Sequence, residues 1–125
     1  ASVAAQTYPN LEAVVVAACG ASHRELPASA GRVPIRLVRS TQPLPRPHAA
    51  NAGLDAARGE LINLLDDDDD WMPQHAETLV RALQQAPQAG LAYSQSILLD
   101  ANERPYAIFG NPFDPIALFY NPLFD

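Results

Sequence analysis

Two short apolar runs limit what this chain can fold into. Residues 11–19, LEAVVVAAC, follow Tyr8-Pro9-Asn10 and stop at Gly20. Residues 61–65, LINLL, follow Gly59-Glu60 and lead straight into 66–70, all aspartate. Runs this short, bounded by turn residues, suit buried strands better than helices. Around them the pattern turns helical. Residues 48–58 are Ala-rich, carry Arg58 late and close on Gly59, as a helix and its terminus would. Pro73 fits the first turn of a second helix. There Ala76, Leu79, Val80 and Leu83 recur at i, i+3, i+4 and i+7 and form one apolar stripe. Residues 35–38 alternate apolar and polar and predict a short strand near a sheet edge. Residues 91–99 predict a further strand and 100–103 a turn. Residues 20–34 and the proline-rich 41–47 read as irregular.

The order is strand, strand, helix, strand, helix, strand. It predicts an α/β domain with a mainly parallel sheet flanked by helices. A chain of 125 residues suffices for one domain with a core and not for two. The α/β domain is expected over residues 1–105. Residues 106–125 are apolar and Pro-rich, with Phe109, Phe113, Phe119, Tyr120 and Phe124. This tail is expected to pack on the domain or on a missing half, or to mediate self-association. The chain lacks an initiating Met and opens in what reads as the end of a helix, so it is expected to be a piece truncated at both ends.

Composition excludes some function classes. The eight Lys and Arg are scattered and form no basic stripe, which speaks against nucleic acid. The longest apolar stretch, residues 13–19, is far shorter than the roughly 20 residues of a membrane-spanning helix. No charged-then-apolar signal segment opens the chain. Cys19 is solitary and cannot form an internal disulfide, so the expected compartment is the reducing cytoplasm. The net charge is −6, and the aspartates at 66–70 supply most of it.

That acidic run sits just past a predicted buried strand, the edge where open α/β sheets bind ligands. In extended backbone, Asp66, Asp68 and Asp70 would face one way and Asp67 and Asp69 the other. Asp66 and Asp68 could then converge on one hard divalent cation, Mg²⁺ or Mn²⁺, leaving room for substrate phosphates. The alternative is a solvated acidic loop, in which Asp69 and Asp70 only complement the positive end of the next helix. An EF-hand register from Asp66 places Asp68, Asp70 and Glu77 correctly. It fails at position 6, where Trp71 replaces the glycine, and it meets Pro73 and a preceding strand rather than a helix.

The segments QTYPNLEAVVV, HAANAGLDAARGELINLLDDDDDWMPQH, AETLVRALQQAP and LAYSQSILLD together resemble family 2 glycosyltransferases of the GT-A fold. Their order and spacing match the family over about residues 2–100. The resemblance implies metal-dependent, inverting transfer of a sugar from a nucleotide diphosphosugar, UDP-type, to a hydroxyl acceptor in polysaccharide or glycoconjugate synthesis of bacterial type. It implies that Asp68 binds a divalent cation, Mn²⁺ or Mg²⁺, and that Asp66 contacts the nucleotide ribose or shares the metal. Asn51 falls at the Asn of the family's Ala-Arg-Asn segment, either as a donor contact or as a helix-surface residue. Three departures stand out. Ala17-Ala18-Cys19-Gly20 carries no carboxylate where the family has Asp-Asp-Gly. Ala50 replaces the family's Arg. The strand that precedes the opening helix is absent, and the acceptor half with its general base would lie beyond residue 125. These departures leave open a second class, a non-catalytic α/β binding or interaction domain that has lost donor affinity. His23, His48 and His75 read as surface residues, and Cys19 as a small buried or loop residue rather than a nucleophile.

Overall fold

Three consecutive valines make residues 14–16 stiff and extended, and the strand they form needs a ladder partner. In the computed structural model, which describes residues 2–20 and 23–110, this strand is β1, Ala13–Ala17. It pairs in parallel with β3, Val33–Arg39, from Ala13 opposite Ile35 to Ala17 opposite Arg39. Parallel neighbours need a crossover of a dozen or more residues, and residues 18–32 provide it. Inside that crossover β2, Ser29–Ala30, folds antiparallel onto the start of β3. Gly31, with φ 58°, makes the tight turn between them, a conformation that costs glycine nothing. β3 thus lies between β1 and β2, but β2 covers only its first residues. The remainder stays at a sheet edge among the described residues, as the alternation predicts.

The first helix, α1, spans Arg46–Ala56 and so begins inside the segment expected to be irregular. Proline is tolerated there because the first-turn N–H groups have no intrahelical partner. Pro45 caps the helix in extended conformation and Pro47 follows within the first turn. Gly53 brings α1 close to β1, where an added Cβ would lie 3.4 Å from Val16 Cγ2. The helix ends at Ala57, two residues before Gly59. Arg36 of β3 donates to the Ala56 carbonyl and also pairs with Glu12 at 3.2 Å. Glu12 in turn accepts the Arg58 backbone N–H at 2.6 Å. One carboxylate and one guanidinium therefore tie β3, the end of α1 and the entry to β1.

The second helix, α2, spans His75–Gln85 after a turn at Pro73-Gln74. Its stripe of Ala76, Leu79, Val80 and Leu83 is the less exposed face, as the periodicity predicts. Ala76 is buried beside Gln6, whose side chain is only 2% exposed. The Gln6 amide donates to the carbonyls of Ser2 and Met72 at 3.3 and 2.9 Å, and its oxygen accepts the Ala76 N–H at 3.1 Å. The Thr7 N–H adds a bond to the Pro73 carbonyl at 2.9 Å. Val33 is fully enclosed, which stabilises the fold by about 1.5–3 kcal/mol.

The strand expected at residues 61–65 does not form. The segment has no regular structure and joins no ladder among the described residues. Leu61, Ile62 and Leu64 stay 53%, 49% and 69% exposed. Apolar content makes a strand only where a neighbour takes its backbone groups. The second edge of β1 is likewise without a ladder partner among these residues.

The chain divides into two units, Ala1–Val80 and Arg81–Asp125. In the second, β4, Ser96–Leu99, pairs antiparallel with β5, Pro105–Phe109. The expected strand over 91–99 is thus shortened to its last four residues. The expected turn at 100–103 is present. Asp100 Oδ1 accepts the backbone N–H groups of Asn102 and Arg104 at 2.8 and 2.9 Å. The apolar tail begins within β5, and its residues 111–125 lie outside the described residues. Within the description the fold is α/β. It has one parallel pair, a short antiparallel extension and a separate antiparallel hairpin.

Replacing Gln6 by Ala removes the acceptor of the buried Ala76 N–H, which costs about 1–3 kcal/mol. Denaturant unfolding of Gln6→Ala should show that loss, while exposed Gln42→Ala should unfold like the wild type.

Candidate functional site

The carboxyl end of β1 sets the edge at which the site is built. The Ala18 carbonyl accepts the Leu44 N–H at 2.8 Å, and Cys19 forms a bridge with Pro43. These bonds bring the chain back past the end of β1 immediately before α1. The first residue of α1, Arg46, then reaches the acidic run. Its Nη2 donates to Asp66 Oδ2 at 2.6 Å. No carboxylate stands at the end of β1 itself, where Ala17 is buried, Ala18 half-buried and Cys19 exposed.

The acidic run is a turn rather than an extended strand. The Asp69 N–H bonds the Asp66 carbonyl at 3.2 Å, with Asp67 and Asp68 at the centre of the turn. Aspartate is favoured at the first position of such turns. The turn revises the expected alternation of side chains. Asp66, Asp68 and Asp69 each offer an oxygen, and these atoms lie within 4.8 Å of one another. Asp69 therefore joins the pair that spacing alone suggested. The helix-complementing role weighed for Asp69 and Asp70 weakens, because α2 starts only at His75 and its first turn holds Glu77.

Three exposed carboxylates form a hard, all-oxygen donor set of the kind Mg²⁺ and Mn²⁺ prefer. Two oxygens on one octahedral ion at about 2.1 Å lie at most about 4.2 Å apart. Small rotations of exposed aspartates cover the remaining gap, so the donor set fits such an ion. Asn51 sits on α1, exposed to solvent, and its side chain has no hydrogen-bond partner among the described residues. It is not part of the acidic group.

The far side of the loop is anchored by an aromatic pair. Trp71 stacks on His75, with ring centroids 5.0 Å apart and planes 20° from parallel. Asn63, from the segment before the aspartates, bonds His75 Nε2 at 2.9 Å. His75 thus clasps both ends of the acidic turn and is half-buried, not a plain surface residue. Burial pushes its pKa below the ordinary 6.5.

Residues 1–108 match the family model described as Glycosyl transferase family 2. The chain belongs to glycosyl transferase family 2. It is also similar to an uncharacterized glycosyltransferase of Haemophilus influenzae, with 25% identity over 114 residues. That alignment covers 91% of this chain and 38% of the relative, so the chain spans about two fifths of that protein's length. No solved structure matches. The match extends past residue 66 through the aspartates to β5, and family membership carries the GT-A fold. Neither Arg46 nor His75 is marked out in the sequence as a site residue. The only signal for Arg46 is a positive charge in a proline-rich segment. For His75 it is a spacing of four from Trp71, and the turn at Pro73-Gln74 is what brings the two rings together.

The lowered pKa of His75 fixes the sign of a pH effect. The unfolded chain takes up the proton first, so this contribution is fully present above pH 6.5 and is lost as pH falls below it. Thermal unfolding of the wild type should weaken between pH 7.5 and 5.5 more steeply than that of His75→Gln.

Proposed function

We propose that this chain is the donor-binding part of a metal-dependent, inverting glycosyltransferase. Its substrates are a nucleotide diphosphosugar, UDP-type, and a hydroxyl acceptor, saccharide or other. The observation that carries the reading is the convergence of Asp66, Asp68 and Asp69 in a chain whose residues 1–108 match the family. Asp68 holds the divalent cation, Mn²⁺ or Mg²⁺, with Asp69 beside it, and Asp66 either shares the metal or contacts the nucleotide ribose. When bound, the cation offsets the diphosphate's charge and supports its departure as leaving group. The protein's own task is to hold the three carboxylates together through the turn and the Trp71–His75 clasp. Asn51 is the proposed donor contact from α1. The general base belongs to an acceptor half outside these residues, and the reaction is placed in the cytoplasm.

The missing carboxylate at Ala17 and Ala18 supports one competing reading, a family-2 domain that binds partners but no donor. Calorimetric titration of UDP and GDP, with and without Mn²⁺, separates the two. Metal-dependent UDP binding that falls at least tenfold in Asp68→Asn, with circular dichroism unchanged, is the expected result. A folded protein that binds neither nucleotide at millimolar concentration would support the non-catalytic reading.

A further inference from the structure

One ion pair in the site has no role in the reading above. Arg46 donates to Asp66 Oδ2 at 2.6 Å, and no other basic side chain pairs with residues 66–70 among the described residues. The placement of Arg46 is electrostatically unusual. It is the first residue of α1, where the helix presents its own positive end and a cation is disfavoured. Its backbone is held between Pro45 and Pro47, whose rings fix their own φ. The Leu44–Ala18 bond moors this segment to the end of β1. The guanidinium is therefore carried on a restrained backbone to the one aspartate that both begins the acidic turn and belongs to the convergent oxygen group.

We propose that Arg46 is a resident cation of this site, one that neutralises Asp66 while no divalent ion is bound and competes with an entering ion for that carboxylate. The proposal rests on the metal-binding reading of Asp66, Asp68 and Asp69. An arginine cannot lose its proton near neutral pH, so it can leave the carboxylate only by moving. The pair is solvent-exposed on both sides, with side chains 72% and 52% accessible, so the movement meets no steric barrier. Release of the pair opposes ion binding, and Arg46 thereby tunes the affinity of the site for its cation.

The test is titration of Mn²⁺ alone, followed by electron paramagnetic resonance, into the intact protein and its variants. Arg46→Ala should bind Mn²⁺ about two- to fivefold more tightly than the wild type, the size expected for loss of an exposed competing pair. The ratio should shrink at high salt, which screens exposed charges. Arg58→Ala changes the net charge equally but removes no partner of Asp66, and should leave Mn²⁺ affinity near wild type. A merely structural arginine would give the opposite sign, because a loosened turn binds the ion less well. Unchanged or weaker Mn²⁺ binding in folded Arg46→Ala overturns the proposal, as does an equal gain in Arg58→Ala. Failure of the metal reading itself looks different: Asp68→Asn would then bind Mn²⁺ as the wild type does.

Discussion

The first unit is organised around one buried amide. Gln6 is enclosed and polar, so each of its groups must find a partner or impose a desolvation cost. It meets that requirement by joining the segment before β1 to the Met72 carbonyl and to the first turn of α2. The acidic turn hangs between this fixed point and the end of α1. Among the described residues, the other hydrogen bonds between the N-terminal segment and the chain after the aspartates are those of Thr7 to Pro73 and Glu77. A polar residue does this better than an apolar one, because helix entry leaves backbone groups that only hydrogen bonds can satisfy.

The other side of the turn relies on charge rather than burial. Arg46 meets Asp66, while Glu12 and Arg36 fasten the opposite end of α1. Both pairs are partly exposed, and such pairs contribute little to stability. Their value lies in placement. They set where α1 starts and stops relative to β1 and hence where five carboxylates project. Stability comes from apolar contacts such as Val33 and from the α1–β1 packing at Gly53, while the surface charges serve the site.

Membership of glycosyl transferase family 2 and the open features of the structure agree on one point. A family with a GT-A fold uses the sheet edge beyond its strands, and here that edge gathers the end of β1, the start of α1 and the aspartates. The segment 61–65 is the weakest part of this arrangement. Leu61, Ile62 and Leu64 are of the kind that fill a sheet interior, yet they remain exposed, with no ladder among the described residues. That is a statement about neighbours, since the residues themselves are well suited to a strand.

The sequence by itself determined β1, the amphipathic α2, the turn at Asp100, and the family through its ordered motifs. Each of these rests on local chemistry. β-Branched residues stiffen the backbone, a stripe repeats every three to four residues, and an aspartate caps a turn. It also marked Asp66 and Asp68 as a candidate pair. Tertiary structure decided what depends on partners far along the chain. It left 61–65 without a ladder among the described residues, because strand formation needs a second backbone. It started α1 two residues earlier than composition suggested, because prolines are harmless where no intrahelical acceptor exists. It brought Asp69 to the metal-type group and Arg46 to Asp66. A run of identical aspartates contains no signal for where it bends, and only the fixed positions of α1 and α2 impose that bend.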